Sequence, residues 1–88
     1  MADFRLQIVT PERVVSDEEV TSIIAPGTAG YLGVLAHHAP LLTTLRAGTL
    51  TIRRGEKISE YRVEGGFLEV SENVATLLVD AFETAAQD

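Results

Sequence analysis

The chain contains no cysteine. Disulfides, thiolate metal sites and a thiol nucleophile are therefore excluded, and the composition fits a reducing compartment. Positive charge is scarce: 7 Lys and Arg stand against 13 Asp and Glu, for a net charge of −6. Nucleic-acid binding needs a basic footprint, so nucleic acid is not an expected partner. No apolar run approaches the ~20 residues that a spanning helix requires. Residues 1–10 lack the apolar core and cleavage site of a signal peptide. Membrane association is expected only through a partner. The glycine spacings that cradle phosphate are also missing. Gly27, Gly30 and Gly33 form G-x-x-G-x-x-G, neither the dinucleotide fingerprint nor a phosphate loop. They read instead as a tight bend or a pair of short strands.

What is present is a small core-forming chain. Its 88 residues point to one domain, and 45% are hydrophobic against 23% charged. A domain of this size buries only about 60–65% of its unfolded surface, so its stability margin is thin. Period-two alternation dominates. In "FRLQIVTP", Phe4, Leu6 and Ile8 face one way and Arg5 and Gln7 the other. "TLTIRR" turns Leu50 and Ile52 inward, and "EYRVEGG" does the same with Tyr61 and Val63. "VTSIIAPG", "FLEV" and "VATLLVDA" supply further strands. Arg54-Gly55-Glu56-Lys57 and Ser71-Glu72-Asn73 are predicted reversals, with Asn73 suited to positive φ. Gly65-Gly66 predicts a bulge, or a bend where a strand changes sheet. The fold class is all-β, a flattened barrel or two-sheet β-sandwich over residues 1–84 with a short tail at 85–88. Only "DEEV" near Asp17 and the tail "DAFETAAQD" are candidate helices.

Candidate chemistry is thin. His37 and His38 are adjacent, and neighbours on a strand point to opposite faces. They converge on one ion only in an irregular segment, and zinc needs three or four ligands. No acidic residue stands at a convincing spacing, and no nucleophile elbow surrounds Thr43 or Thr44. No metal, cofactor or catalytic group is expected. A loop position fits either an ordinary exposed histidine or a binding surface. Lys57, near a hairpin tip, has the placement of a lipoyl- or biotinyl-type carrier lysine, but "RRGEKISE" lacks the flanking residues of those domains. Five of the seven cations, Arg46, Arg53, Arg54, Lys57 and Arg62, cluster as a solvated strand face or a docking patch. Tyr31–Leu42 combines one aromatic with several leucines and few charges, the composition of a docking surface.

The blocks "LQIVTPERVV", "PGTAGYLGVLAHHAPLLTTLRAGTL" and "VEGGFLEVSENVATLLVDA" closely resemble the N-terminal domain of the epsilon subunit of F-type ATP synthase, the counterpart of mitochondrial delta. The resemblance covers about Phe4 to Ala81, and its most specific pieces are "GYLGVL", "HAPLLT" and "GGFLEV". It implies a flattened β-barrel without catalytic activity, on the central rotor stalk of a proton- or sodium-translocating enzyme. Its partners would be gamma and the c-ring, at the cytoplasmic face of the bacterial inner membrane. It further implies that Thr28, Ala29, Gly30, Tyr31 and Leu32 meet the c-ring, and that Thr10, His38, Ala39, Pro40 and Thr43 face gamma. Two departures stand out. The family usually has Pro-Gly-His where this chain has Ala36-His37-His38, and His37 adopts positive φ less readily than glycine, so a reshaped turn is one expected consequence. The family commonly continues into a C-terminal helical hairpin that inhibits rotation and, in some members, binds ATP. The chain is read without that hairpin, so neither property is carried over.

Overall fold

The computed structural model describes residues 2–85. Among them are eight strands and no helix: β1 (Phe4–Val9), β2 (Val14–Val20), β3 (Ser22–Gly27), β4 (Gly30–Leu35), β5 (Leu41–Leu45), β6 (Gly48–Arg54), β7 (Lys57–Ser71) and β8 (Val74–Thr84). The all-β expectation holds. The hydrogen-bonded order is β2-β1-β8-β7-β5-β3-β4, with β6 pairing both β3 and β7. All pairings are antiparallel except β1 with β8, so the two ends of the domain meet side by side.

The long strand β7 makes the barrel. Its first half, Lys57–Val63, pairs with β6, and its second half, Gly66–Val70, pairs with β5. Gly65 (φ 50°) and Gly66 (φ 129°) lie at the changeover. Glu64 stays opposite Ala81 and Gly66 opposite Val79, so no residue is inserted and the glycines form a bend rather than a bulge. A side chain at Gly66 would overlap the Leu78 carbonyl oxygen. Glycine is thus required both for backbone angle and for space.

The alternation set the core correctly. Phe4, Leu6, Ile8, Leu50, Ile52 and Val63 are buried, joined by Leu68, Val70, Leu77 and Val79 from β7 and β8. Tyr61 is half-buried at the rim, its ring stacked on Phe82 at 4.9 Å.

Among the described residues, neither candidate helix forms: Asp17–Val20 and Asp80–Thr84 are strand. "DEEV" lies in β2, where Glu19 pairs with Arg5 and Glu18 with Leu6. A four-residue segment cannot offset the cost of nucleating a helix, whereas β1 offers it a full ladder. Position 18 faces inward, and Arg54 receives its carboxylate in a fork of 2.8 and 2.6 Å. This pair ties β2 to β6 and closes one flank of the barrel. At the other end β8 runs on through Thr84, which pairs with Tyr61, and the Ala85 N–H donates to the Glu60 carbonyl at 3.2 Å. Positions 86–88 of the expected tail lie outside the described residues. A strand that the sequence reading left out, β5, follows Pro40 and directs Leu41 and Thr43 toward the barrel interior, opposite Val70 and Leu68.

Candidate functional site

The glycines at 27, 30 and 33 build the β3–β4 hairpin. Its two-residue tip is Thr28-Ala29, between the pair Gly27 and Gly30. Gly27 has no room for a side chain, since a Cβ there would lie 2.7 Å from Leu32 Cδ2 and 2.8 Å from the Gly30 carbonyl. Gly30 takes φ 138°. Pro26 and Gly27 are the last two residues of β3.

The tip is fastened to the next strand. The Thr28 N–H donates to the Thr44 carbonyl at 3.1 Å, and the two threonine hydroxyls lie 2.8 Å apart. The Arg46 N–H donates to the Pro26 carbonyl at 2.9 Å. Tyr31 is 51% exposed yet anchored. Its phenol oxygen accepts the Thr49 N–H at 3.1 Å, and the Arg46 guanidinium lies over its ring at 5.3 Å. The ring is a fixed platform rather than a free side chain. Thr28, Ala29 and Gly30 are exposed, and Leu32 is half-buried. Tyr31, Leu32 and Ala29 share a groove of about 310 Å³ with Leu41 and Thr43. Thr43 thus lines a groove beside the hairpin.

Thr10 lies elsewhere, in a second groove of about 340 Å³ with Val9, Pro11, Phe67, Leu78 and Asp80. The two places are joined across the outer face of the sheet. Val9 pairs with Leu78, Leu78 with Phe67, and Phe67 with Thr44, whose hydroxyl meets Thr28. Phe67 is 49% exposed, Leu78 48% and neighbouring Leu42 72%. This outward apolar row was missed in the sequence, though a signal existed. Ile8-Val9, Leu41-Leu42, Phe67-Leu68 and Leu77-Leu78 are adjacent apolar pairs in strands, and alternation forces one member of each pair outward.

His38, Ala39 and Pro40 lie in the β4–β5 connection. The His38 N–H donates to the Leu35 carbonyl at 3.2 Å, closing a turn whose third residue, His37, has φ 65°. Histidine thus keeps the left-handed conformation that glycine would supply, and the turn is not reshaped at that angle. His38 Nδ1 lies 2.6 Å from the Ala39 carbonyl, which can only accept, so Nδ1 is the donor of this contact. Among the described residues, no three or more His, Asp or Glu side chains gather as metal ligands. Lys57 is the first residue of β7, paired with Arg54, while Gly55-Glu56 forms the tip. A carrier lysine would occupy the tip, so the geometry departs from the carrier reading.

The five clustered cations do not make one patch. Arg54 turns inward to Glu18, Arg46 covers Tyr31, and the Arg53 Nε donates to the Gly55 carbonyl at 2.9 Å. The Arg54 fork holds the Glu18 carboxyl below the usual carboxylate range, helped by the Ser16 hydroxyl and opposed by partial burial.

Comparison with known proteins agrees with this geometry. A sequence profile for the family described as "ATP synthase, Delta/Epsilon chain, beta-sandwich domain" matches residues 3–85. The ATP synthase epsilon chain of Moorella thermoacetica is 50% identical, covering 99% of this chain and 66% of the relative. That of Desulforamulus reducens is 48% identical, covering 94% and 63%. The chain thus spans about two thirds of the length of these curated relatives. In the Euglena gracilis mitochondrial ATP synthase (OSCP/F1/c-ring), a chain superimposes with a TM-score of 0.90 at 25% identity, over 96% of this chain and 54% of that one. A Tetrahymena thermophila mitochondrial ATP synthase structure of the central stalk and c-ring gives a TM-score of 0.78 at 18% identity, over 91% and 65%, a likeness of fold. With that profile matched over residues 3–85, the chain belongs to the ATP synthase delta/epsilon-chain β-sandwich domain family.

Proposed function

We propose that this chain is a rotor-stalk component of a proton- or sodium-translocating F-type ATP synthase. It links gamma to the c-ring and passes torque between ion flow and ATP synthesis without doing chemistry itself. The observation that carries the reading is the continuous outward row from Thr10 through Leu78 and Phe67 to Thr44 and Thr28, on a domain of this family. Exposed apolar rows of this kind mark docking surfaces. We assign the hairpin residues Thr28, Ala29, Gly30, Tyr31 and Leu32 to the c-ring loops. Thr10, His38, Ala39, Pro40 and Thr43 go to gamma, with Val9, Leu42, Phe67 and Leu78 added. The hairpin suits a load-bearing contact because its tip is pinned by the Thr28–Thr44 and Tyr31–Thr49 bonds. Membrane attachment follows through the complex, at the cytoplasmic face of a bacterial inner membrane.

The test is binding to the purified gamma–c-ring assembly of the source organism. The parent chain should bind, and Phe67→Ser with Leu78→Ser should weaken binding at least tenfold while the free domain melts as before. Absence of binding by the parent would sink the proposal. The carrier reading predicts instead a mass increase on Lys57 after incubation with lipoate or biotin ligase.

A further inference from the structure

Asn73 stands at the β7–β8 turn, remote in sequence from the β4–β5 connection, yet its side chain reaches that connection. Its Oδ1 accepts the His37 N–H at 2.7 Å, and its Nδ2 donates to the Asp3 carbonyl at 3.1 Å. Its backbone has φ 65°, as does that of His37. A β-branched residue is strongly disfavoured at such angles; histidine adopts them more readily than most residues but at a cost that its surroundings must offset. The bond that the His37 N–H donates to Asn73 Oδ1 holds the residue whose angle aims His38. The His38 N–H is bonded to the Leu35 carbonyl across the same turn, and the imidazole is braced on the Ala39 carbonyl.

We propose that Asn73 is a positioning residue for partner docking: by holding the His37 N–H it locks the 36–40 turn and presents His38, Ala39 and Pro40 in binding geometry. The inference rests on the functional reading above only for what the turn meets, not for how the turn is held. Its chemistry makes it separable from a role in stability. Glycine at 73 keeps the positive φ of the β7–β8 turn and the bond from the Arg5 N–H to the carbonyl of residue 73, but removes both side-chain bonds. Aspartate keeps an acceptor for His37 and loses the donor to Asp3.

The experiment compares parent, Asn73→Gly and Asn73→Asp by amide hydrogen exchange, thermal melting and affinity for the purified gamma–c-ring assembly. In Asn73→Gly, the His37 amide should lose its protection and affinity should fall about tenfold, with core amides such as those of Leu50 and Leu77 unchanged. Asn73→Asp should restore both His37 protection and affinity, even if its melting midpoint falls with the lost Asp3 bond. Unchanged His37 protection in Asn73→Gly would overturn the proposal. So would equal loss of affinity in both variants in step with their midpoints, since that is the signature of a stability effect alone. If the parent chain fails to bind, the functional reading falls. The exchange data then still decide whether Asn73 holds the turn.

Discussion

Leu77 and Leu78 are neighbours in sequence and opposites in structure: Leu77 is fully buried and Leu78 is 48% exposed. Phe67 and Leu68 divide in the same way. If the outward row is the docking surface proposed above, fold stability and partner affinity fall on alternate residues of the same strands, and single substitutions separate them. Leu50→Ala, which empties a fully buried site, should cost roughly 2–5 kcal/mol of fold stability. Phe67→Ser should change the melting midpoint little and weaken rotor binding at least tenfold. Melting curves and binding isotherms on the same preparations check both. Tyr31 does not fall into either class. Reading it as an exposed aromatic predicts that truncation spares the fold, but its phenol oxygen accepts the Thr49 N–H and its ring carries Arg46. Tyr31→Ala should therefore lower stability by about 1–2 kcal/mol as well as weakening binding, and Tyr31→Phe isolates the lost hydrogen bond. Equal midpoints for Tyr31→Ala and parent would show that the anchor contributes nothing.

At the scale of elements, two strands carry the barrel's closure. In β7 the bend at Gly65-Gly66 lets one strand serve two partners, β6 and β5. Gly66→Ala should cost about 3 kcal/mol or more, because the new methyl meets the Leu78 carbonyl and φ is 129°. An urea-unfolding midpoint close to that of the parent would refute this. In β2 the inward Glu18 meets Arg54 at a flank where both side chains are roughly 30% exposed (31% and 28%). Solvent screening limits such a pair to about 1 kcal/mol. Because the Glu18 pKa is lowered by folding, the pair's contribution is complete above the ordinary carboxylate value of 4.5 and is lost as pH falls through the lower folded-state value. Glu18→Gln should thus be less stable than parent at pH 7, and the difference should shrink as pH falls below 4.5 through the lower folded-state value. A constant difference across that range would remove Glu18 as the cause.

For the whole molecule, the pairing of β1 with β8 joins the two ends of the described chain, and β7 ties the middle to both. Such non-local topology closes long loops before its contacts form. Folding should therefore take milliseconds to seconds rather than microseconds, in a stopped-flow experiment followed by Tyr emission. Sub-millisecond folding would show that local hairpins dominate. The far-ultraviolet circular dichroism spectrum should be that of β structure. The same topology makes one surface of distant segments: residues from β1, β8, β7, β5 and the β3–β4 tip line up only because these strands lie side by side.

The sequence alone determined the strands of strong alternation, their buried faces and the turns. Phe4, Leu6, Ile8, Leu50, Ile52 and Val63 lie where period two puts them, and Gly55 and Asn73 both take positive φ. These are local properties: side-chain alternation and backbone angle depend on the residue and its neighbours. Family membership was likewise legible in the blocks "GYLGVL", "HAPLLT" and "GGFLEV", which the profile match over residues 3–85 supports. Tertiary structure decided the rest. "DEEV" is a strand because β1 offers a ladder and Arg54 receives the inward Glu18, a partner 36 positions away. Thr43 joins the hairpin groove and Thr10 the other because strand pairing, not sequence distance, sets neighbours. The apolar row was visible as adjacent apolar pairs in separate strands. Its continuity was not, because register across four strands is fixed only when long-range hydrogen bonds form.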